Sequence, residues 1–87
     1  MLDSALIKET RTRLGLNQVE FSLLIGVHPI TVSKWERSLA KPSLWQHGLI
    51  VHLYEANKFN QGKCRSHLAT SGPIATLVFL LKSVVHA

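Results

Sequence analysis

Apolar side chains recur along this chain at helical spacing. Leu6, Ile7, Thr10 and Leu14 share one helical face. Asp3 or Ser4 can cap the start of that helix, and Arg11 and Arg13 put positive charge in its last turn. Gly15 supplies a left-handed stop. A second helix opens at Asn17, which forms a capping-box pattern with Glu20 three positions on. It carries Val19, Phe21, Ser22, Leu23 and Ile25, and Gly26 ends it. The third begins at Pro29, whose missing N–H would have no helical partner at that position. Val32 and Trp35 form its buried stripe, while His28 before it is a poor cap.

Ser38 to Pro42 reads as a connector. Ser43 caps a fourth helix that runs to about Ala56. Its apolar residues (Leu44, Val51 and Tyr54; Trp45, Leu49, Leu53 and Ala56) cover two faces, which predicts a sandwiched helix. Residues 57–71 are polar, with Phe59 and Leu68 as anchors. A structureless stretch of that length is unusual, so either a helical turn near 63–69 or a mobile segment is expected. Ser71-Gly72-Pro73 opens a fifth helix that ends near Val85 and is apolar around nearly its whole circumference. No run has the alternation and turn chemistry of a β-hairpin. The prediction is an all-α, five-helix domain with two parts. Residues 1–57 form the core, with a second helix over about 17–25 and a third over about 28–37. Residues 58–87 form a polar connector and a C-terminal packing or dimerisation helix.

The chain has 87 residues and a formal charge of +5, which suits a polyanionic partner. Residues 61–87 hold Lys63, Arg65 and Lys82 with no acid. The first 60 residues hold seven basic and five acidic side chains. Cys64 is the single cysteine, so no internal disulfide forms and a reducing compartment is expected. The N-terminus has no apolar signal core, and the longest apolar run, Ile74 to Leu81, is far short of the ~20 residues of a membrane span. The expectation is a cytoplasmic protein with no membrane association.

Two short helices joined by Gly26-Val27-His28 have the spacing of a helix-turn-helix. In that motif the second helix enters the major groove while the first braces it against the backbone. The brace needs a close crossing, which Ser22 and Gly26 allow, and an apolar lock from Val19, Phe21, Ile25, Val32 and Trp35.

The residues Leu14–Phe21 (LGLNQVEF), Ile25-Gly26-Val27, Thr31–Glu36 (TVSKWE) and Lys41-Pro42-Ser43 resemble the phage-repressor/Cro (Xre-type) helix-turn-helix proteins, from about Ile7 to Ala56. The resemblance implies a lambda-repressor-like fold, here with an added apolar C-terminal helix. It further implies that Gln18 bonds a phosphate and braces the reading helix. His28, Pro29, Ile30 and Thr31 would form the groove-entering end, and Lys34 would sit one turn on. Thr31 and Ser33 would reach phosphate or base edges, and Arg37 and Lys41 would approach the backbone. Arg11 and Glu36 match a pair that forms an internal salt bridge in several relatives.

The chain departs from that pattern in three places. Pro29 and Ile30 cannot make bidentate base hydrogen bonds; they contact a thymine methyl or fill space. Base discrimination then moves to Lys34, suited to guanine O6/N7, and to His28, Thr31 and Ser33. Ser38 stands where a glycine is common. Leu23 and Leu24 replace polar residues on the outer side of the second helix, and an exposed pair there calls for a covering partner.

Cys64-x2-His67 has ligand-like spacing, but no second cysteine or close carboxylate completes a tetrahedral set, so no metal or other cofactor is expected. A Cys64–His67 nucleophilic dyad would leave little room for a pocket and an oxyanion hole, and no catalytic residue is assigned. Leu77, Leu80, Leu81, Val84 and Val85 offer a second face on the last helix for a twofold contact, with Leu77, Leu80, Leu81 and Val84 as the expected interface, joined by Leu23 or Leu24. The function expected is a sequence-specific double-stranded-DNA-binding regulator, a repressor or autoregulator that binds an inverted repeat as a homodimer. The alternative is an antitoxin-like module that neutralises a partner protein, with DNA binding secondary.

Overall fold

The computed structural model describes residues 4–60 and 64–78. Their regular structure is helical throughout: α1 (Ser4–Arg13), α2 (Gln18–Ile25), α3 (Pro29–Glu36), α4 (Leu44–Asn60), α5 (Cys64–Ser71) and α6, residues 73–78 up to the last described position. The described residues thus hold six helical segments where the sequence suggests five.

Local chemistry sets the boundaries. Asn17 Oδ1 accepts the Glu20 N–H at 2.8 Å, and Glu20 Oε1 accepts the Asn17 N–H at 2.8 Å, a reciprocal cap that satisfies two otherwise orphaned donors. Gly26 closes α2 at φ +84°, and its N–H reaches the Ser22 carbonyl at 2.9 Å. Ser43 and Gln46 form the corresponding box at the start of α4. Gly72, at φ +87°, separates α5 from α6.

The core gathers Ile7, Leu14, Phe21, Val32, Trp35, Ile50 and Leu53. α3 packs on α2 and α1, and α4 packs on α1 and α2. Burying a side chain the size of Phe21 contributes roughly 1.5–3 kcal/mol. Buried hydroxyls are satisfied locally: Thr10 donates to the Leu6 carbonyl at 2.8 Å and Ser22 to that of Val19 at 2.6 Å.

The structure corrects several expectations. α4 runs four residues past Ala56, whereas the helical turn expected near residues 63–69 is present, as α5. Leu68 docks that helix in the core at 8% exposure. The side chains of Phe59, Cys64 and His67 lie outside the described residues. α4 is not sandwiched among the described residues. Leu49, Ile50 and Leu53 are buried, while Leu44, Trp45 and Val51 face outward. On α2, Leu24 is buried and Val19 exposed, the reverse of the expected assignment. Phe21, Leu24 and Ile25 share the inward face, which leaves Val19 and Leu23, one turn apart, outside. Leu77 is partly buried and packs against the core. Leu80, Leu81, Val84 and Val85 lie outside the described residues. No helix among the described residues is long and apolar enough to cross a membrane.

Candidate nucleic-acid interface

α3 begins at a well-formed cap. His28 is extended at φ −72° and ψ 145°, and its Nδ1 accepts the Ile30 N–H at 3.2 Å. The His28 carbonyl takes the Thr31 N–H at 2.9 Å. A side-chain acceptor two residues back does the work of an Asp or Asn cap, and Pro29 supplies the preset first-turn φ. The poor cap expected of His28 is therefore a functioning one.

Helical periodicity then sorts the residues of α3. Val32 and Trp35 turn inward and are buried. Ile30 and Lys34, four apart, are exposed, and Arg37 continues that side beyond the helix. Pro29, Thr31 and Ser33 are half-buried along its margins. Lys41 lies exposed on the connector to α4. Arg37 folds partly back, with its Nε 3.4 Å from the Ser33 carbonyl.

The far end of α3 is tied down by charge. Arg11 Nε meets Glu36 Oε2 at 2.6 Å, and Arg11 Nη2 meets Glu36 Oε1 at 3.0 Å. Arg11 Nη1 also donates to the Leu16 carbonyl at 3.0 Å. The Arg11 and Glu36 side chains are only 12% and 6% exposed, so this forked pair sits largely out of water. Gln18 Nε2 donates to Glu36 Oε1 at 3.2 Å. One carboxylate thereby links the end of α1, the start of α2 and the end of α3. The Gln18 amide carries a second N–H, and the side chain is half-buried.

The carboxylates of α1 to α3 are engaged. Glu9 pairs with Arg13, Glu20 serves the α2 cap and Glu36 holds Arg11. Lys34, Arg37 and Lys41 stand on the exposed side, so the outer surface of α3 and its connector carries a positive bias suited to phosphate.

Two features lie beyond sequence reasoning. The Gln18–Glu36 bond joins residues 18 apart in sequence and has no local signal. Ser38 adopts φ +62°, the left-handed conformation a glycine would take, and its hydroxyl donates to the Ser4 hydroxyl at 2.9 Å. The unusual serine at that turn was its only signal. Among the described residues, no three of His, Cys, Asp and Glu converge as a metal site would require.

Residues 7–44 match the family model described as helix-turn-helix. The match spans α1, α2, α3 and the connector to α4, and so covers the forked Arg11–Glu36 pair and the exposed side of α3. No curated protein and no solved structure matches the chain significantly. A helix-turn-helix domain is present, and with the all-α fold it supports a DNA-binding regulatory role.

Proposed function

We propose that this chain is an Xre/Cro-type transcription regulator, a cytoplasmic repressor or autoregulator that binds an inverted repeat in double-stranded DNA as a homodimer. The observation that carries the reading is the state of α3. Its inner side and its C-terminal end are locked by Val32, Trp35 and Glu36, while Ile30, Lys34 and Arg37 face outward. A helix held at one end and bare along the other side is what groove entry requires.

Within that reading, contacts divide by chemistry. The second amide N–H of Gln18 bonds a phosphate while the first stays on Glu36, so brace and reading helix move as one body. Arg37 and Lys41 neutralise phosphates next to the groove. Lys34 reaches guanine O6 or N7, and the hydroxyls of Thr31 and Ser33 serve base edges or phosphates. His28, Pro29 and Ile30 form the entering end, where Ile30 offers a methyl surface to thymine. Twofold symmetry sets half-sites about one helical turn apart, roughly 34 Å. The mechanism proposed is occlusion of a promoter.

Selection of bound duplexes from a random library tests this. A palindromic consensus is expected. Enrichment of no sequence, with binding that Lys34→Ala and Gln18→Ala leave unchanged, would overturn the groove assignment. The outward Val19–Leu23 stripe on α2 supports the second reading, an antitoxin-like chain that covers this stripe with a partner protein. Normal duplex binding by Leu23→Lys would separate the two.

A further inference from the structure

The chain leaves α3 through a tightly bonded turn that ends on an exposed leucine. The Ser38 N–H donates to the Trp35 carbonyl at 3.2 Å, and the Leu39 N–H to the Lys34 carbonyl at 2.8 Å. With Ser38 left-handed at φ +62°, this is a Schellman motif. An apolar residue in the place of Leu39 ordinarily packs back on the helix, against a side chain three or four positions before the cap. Here those positions are Lys34 and Ser33, neither of them apolar, and Leu39 stays 65% exposed. The backbone around it is fixed. The Ser38 hydroxyl holds that of Ser4 at 2.9 Å on one side, and Ala40 packs against the core on the other.

Arg37 and Lys41 lie two residues to either side of Leu39, both exposed, and residues 37–43 contain no acid. An apolar knob between two cations fits a surface that is anionic along its rims and lined by deoxyribose within, as the minor groove of DNA is. α3 has eight residues, hence a length of about 12 Å, close to the width of the major groove. With its first turn on base edges, its other end reaches the phosphate rim, beyond which the minor groove opens. We propose that Leu39 enters that minor groove as a wedge and partly unstacks one base step, while Arg37 and Lys41 hold the phosphates beside it. The inference rests on the DNA-binding reading above and gives it a specificity element where no base-edge contact of α3 reaches.

A wedge needs a rigid mount. A leucine on a loose loop swings aside before it parts stacked bases; Leu39 is tied through the carbonyl of Lys34, the hydroxyl of Ser4 and the packing of Ala40. The cost of opening a step depends on its sequence, and pyrimidine–purine steps such as TA and CA open most readily. The consequence is a preference at a step that makes no hydrogen bond to the protein, with a bend of roughly 20–90° toward the major groove. That adds discrimination where α3 itself has little, since Pro29 and Ile30 carry no side-chain hydrogen-bonding group.

The full chain is tested on the duplex it selects from a random library. The expected consensus holds a pyrimidine–purine step at a constant offset from the base pairs that α3 reads. 2-Aminopurine placed in that step should brighten on binding, and energy transfer between dyes on the two duplex ends should rise as the duplex bends. Leu39→Ala should abolish the brightening and the step preference and weaken binding roughly tenfold. Leu39→Met, of similar volume, should keep all three. Leu39 is a surface position, and an equal urea midpoint will show that Leu39→Ala is folded as the parent is. A duplex bound tightly with no step preference and no brightening overturns the wedge and leaves the DNA-binding reading standing. Weaker binding by Leu39→Ala without either signal overturns it too, because the leucine then packs on sugar alone. Binding to no duplex overturns both, as does Leu39-dependent binding to phosphatidylglycerol vesicles in its place.

Discussion

The Arg11 guanidinium and the Glu36 carboxylate meet through two contacts, at 2.6 and 3.0 Å, with both side chains nearly out of water. The pair joins the last turn of α1 to the last residue of α3, and Gln18 hangs on the same carboxylate. Removing Glu36 leaves a guanidinium buried with only the Leu16 carbonyl as partner. Glu36→Ala should therefore lower stability by roughly 3 kcal/mol in urea unfolding. The double replacement Arg11→Met/Glu36→Leu should recover most of that loss, because it removes both charges together. A Glu36→Ala variant as stable as the parent would show that the pair is not needed to hold α3.

His28 separates folding from binding. An aspartate at the cap accepts the Ile30 N–H and suits the positive end of the α3 dipole, so His28→Asp should raise stability by about 0.5–1 kcal/mol. The same carboxylate would face phosphate if this end enters the groove. A melting temperature that rises while duplex affinity falls is the expected pair of results, measured by calorimetry and by fluorescence anisotropy. Affinity that rises with stability would place His28 away from DNA.

Lys34 and Arg37 should fail in different ways. Lys34→Ala should cost about 1–3 kcal/mol on the selected consensus and relax preference at one base pair. Arg37→Ala should weaken binding to all duplexes alike and reduce the slope of log affinity against log salt by about one. Competition assays at several salt concentrations distinguish the two patterns.

Ser38 occupies a left-handed conformation at φ +62°. Ser38→Val places a branched side chain in that region and should cost at least 1–2 kcal/mol. Ser38→Gly relieves the backbone but gives up the bond to Ser4, so its net change should stay within about 0.5–1 kcal/mol of the parent. Urea midpoints of the two variants check the order.

The elements legible in advance were those whose chemistry is local. Asn17 and Glu20 are three residues apart, so their reciprocal cap follows from covalent proximity, as do the stops at Gly15 and Gly26 and the start at Pro29. The outward side of α3 was readable for the same reason, since Val32 and Trp35 fix which way the short helix turns. α2 was harder. Apolar residues occur all around its eight positions, so periodicity does not say that Leu24 goes in and Val19 stays out. Contact with α3 and α4 decides it. For α5 the sequence signalled only a turn with Leu68 as anchor, and the docking of Leu68 in the core decides between that turn and a mobile segment.

The sequence by itself determined where the helices of the motif begin and end, and which residue types line the outer side of α3, because caps, turns and helical spacing act over three or four residues. The resemblance already implied the Arg11–Glu36 pair; tertiary structure alone decided that Gln18 joins the same carboxylate from another helix. It also left Leu44 and Trp45 exposed on one face of α4. Both depend on which surfaces meet once the chain has closed, and burial energy follows that meeting rather than the order of residues.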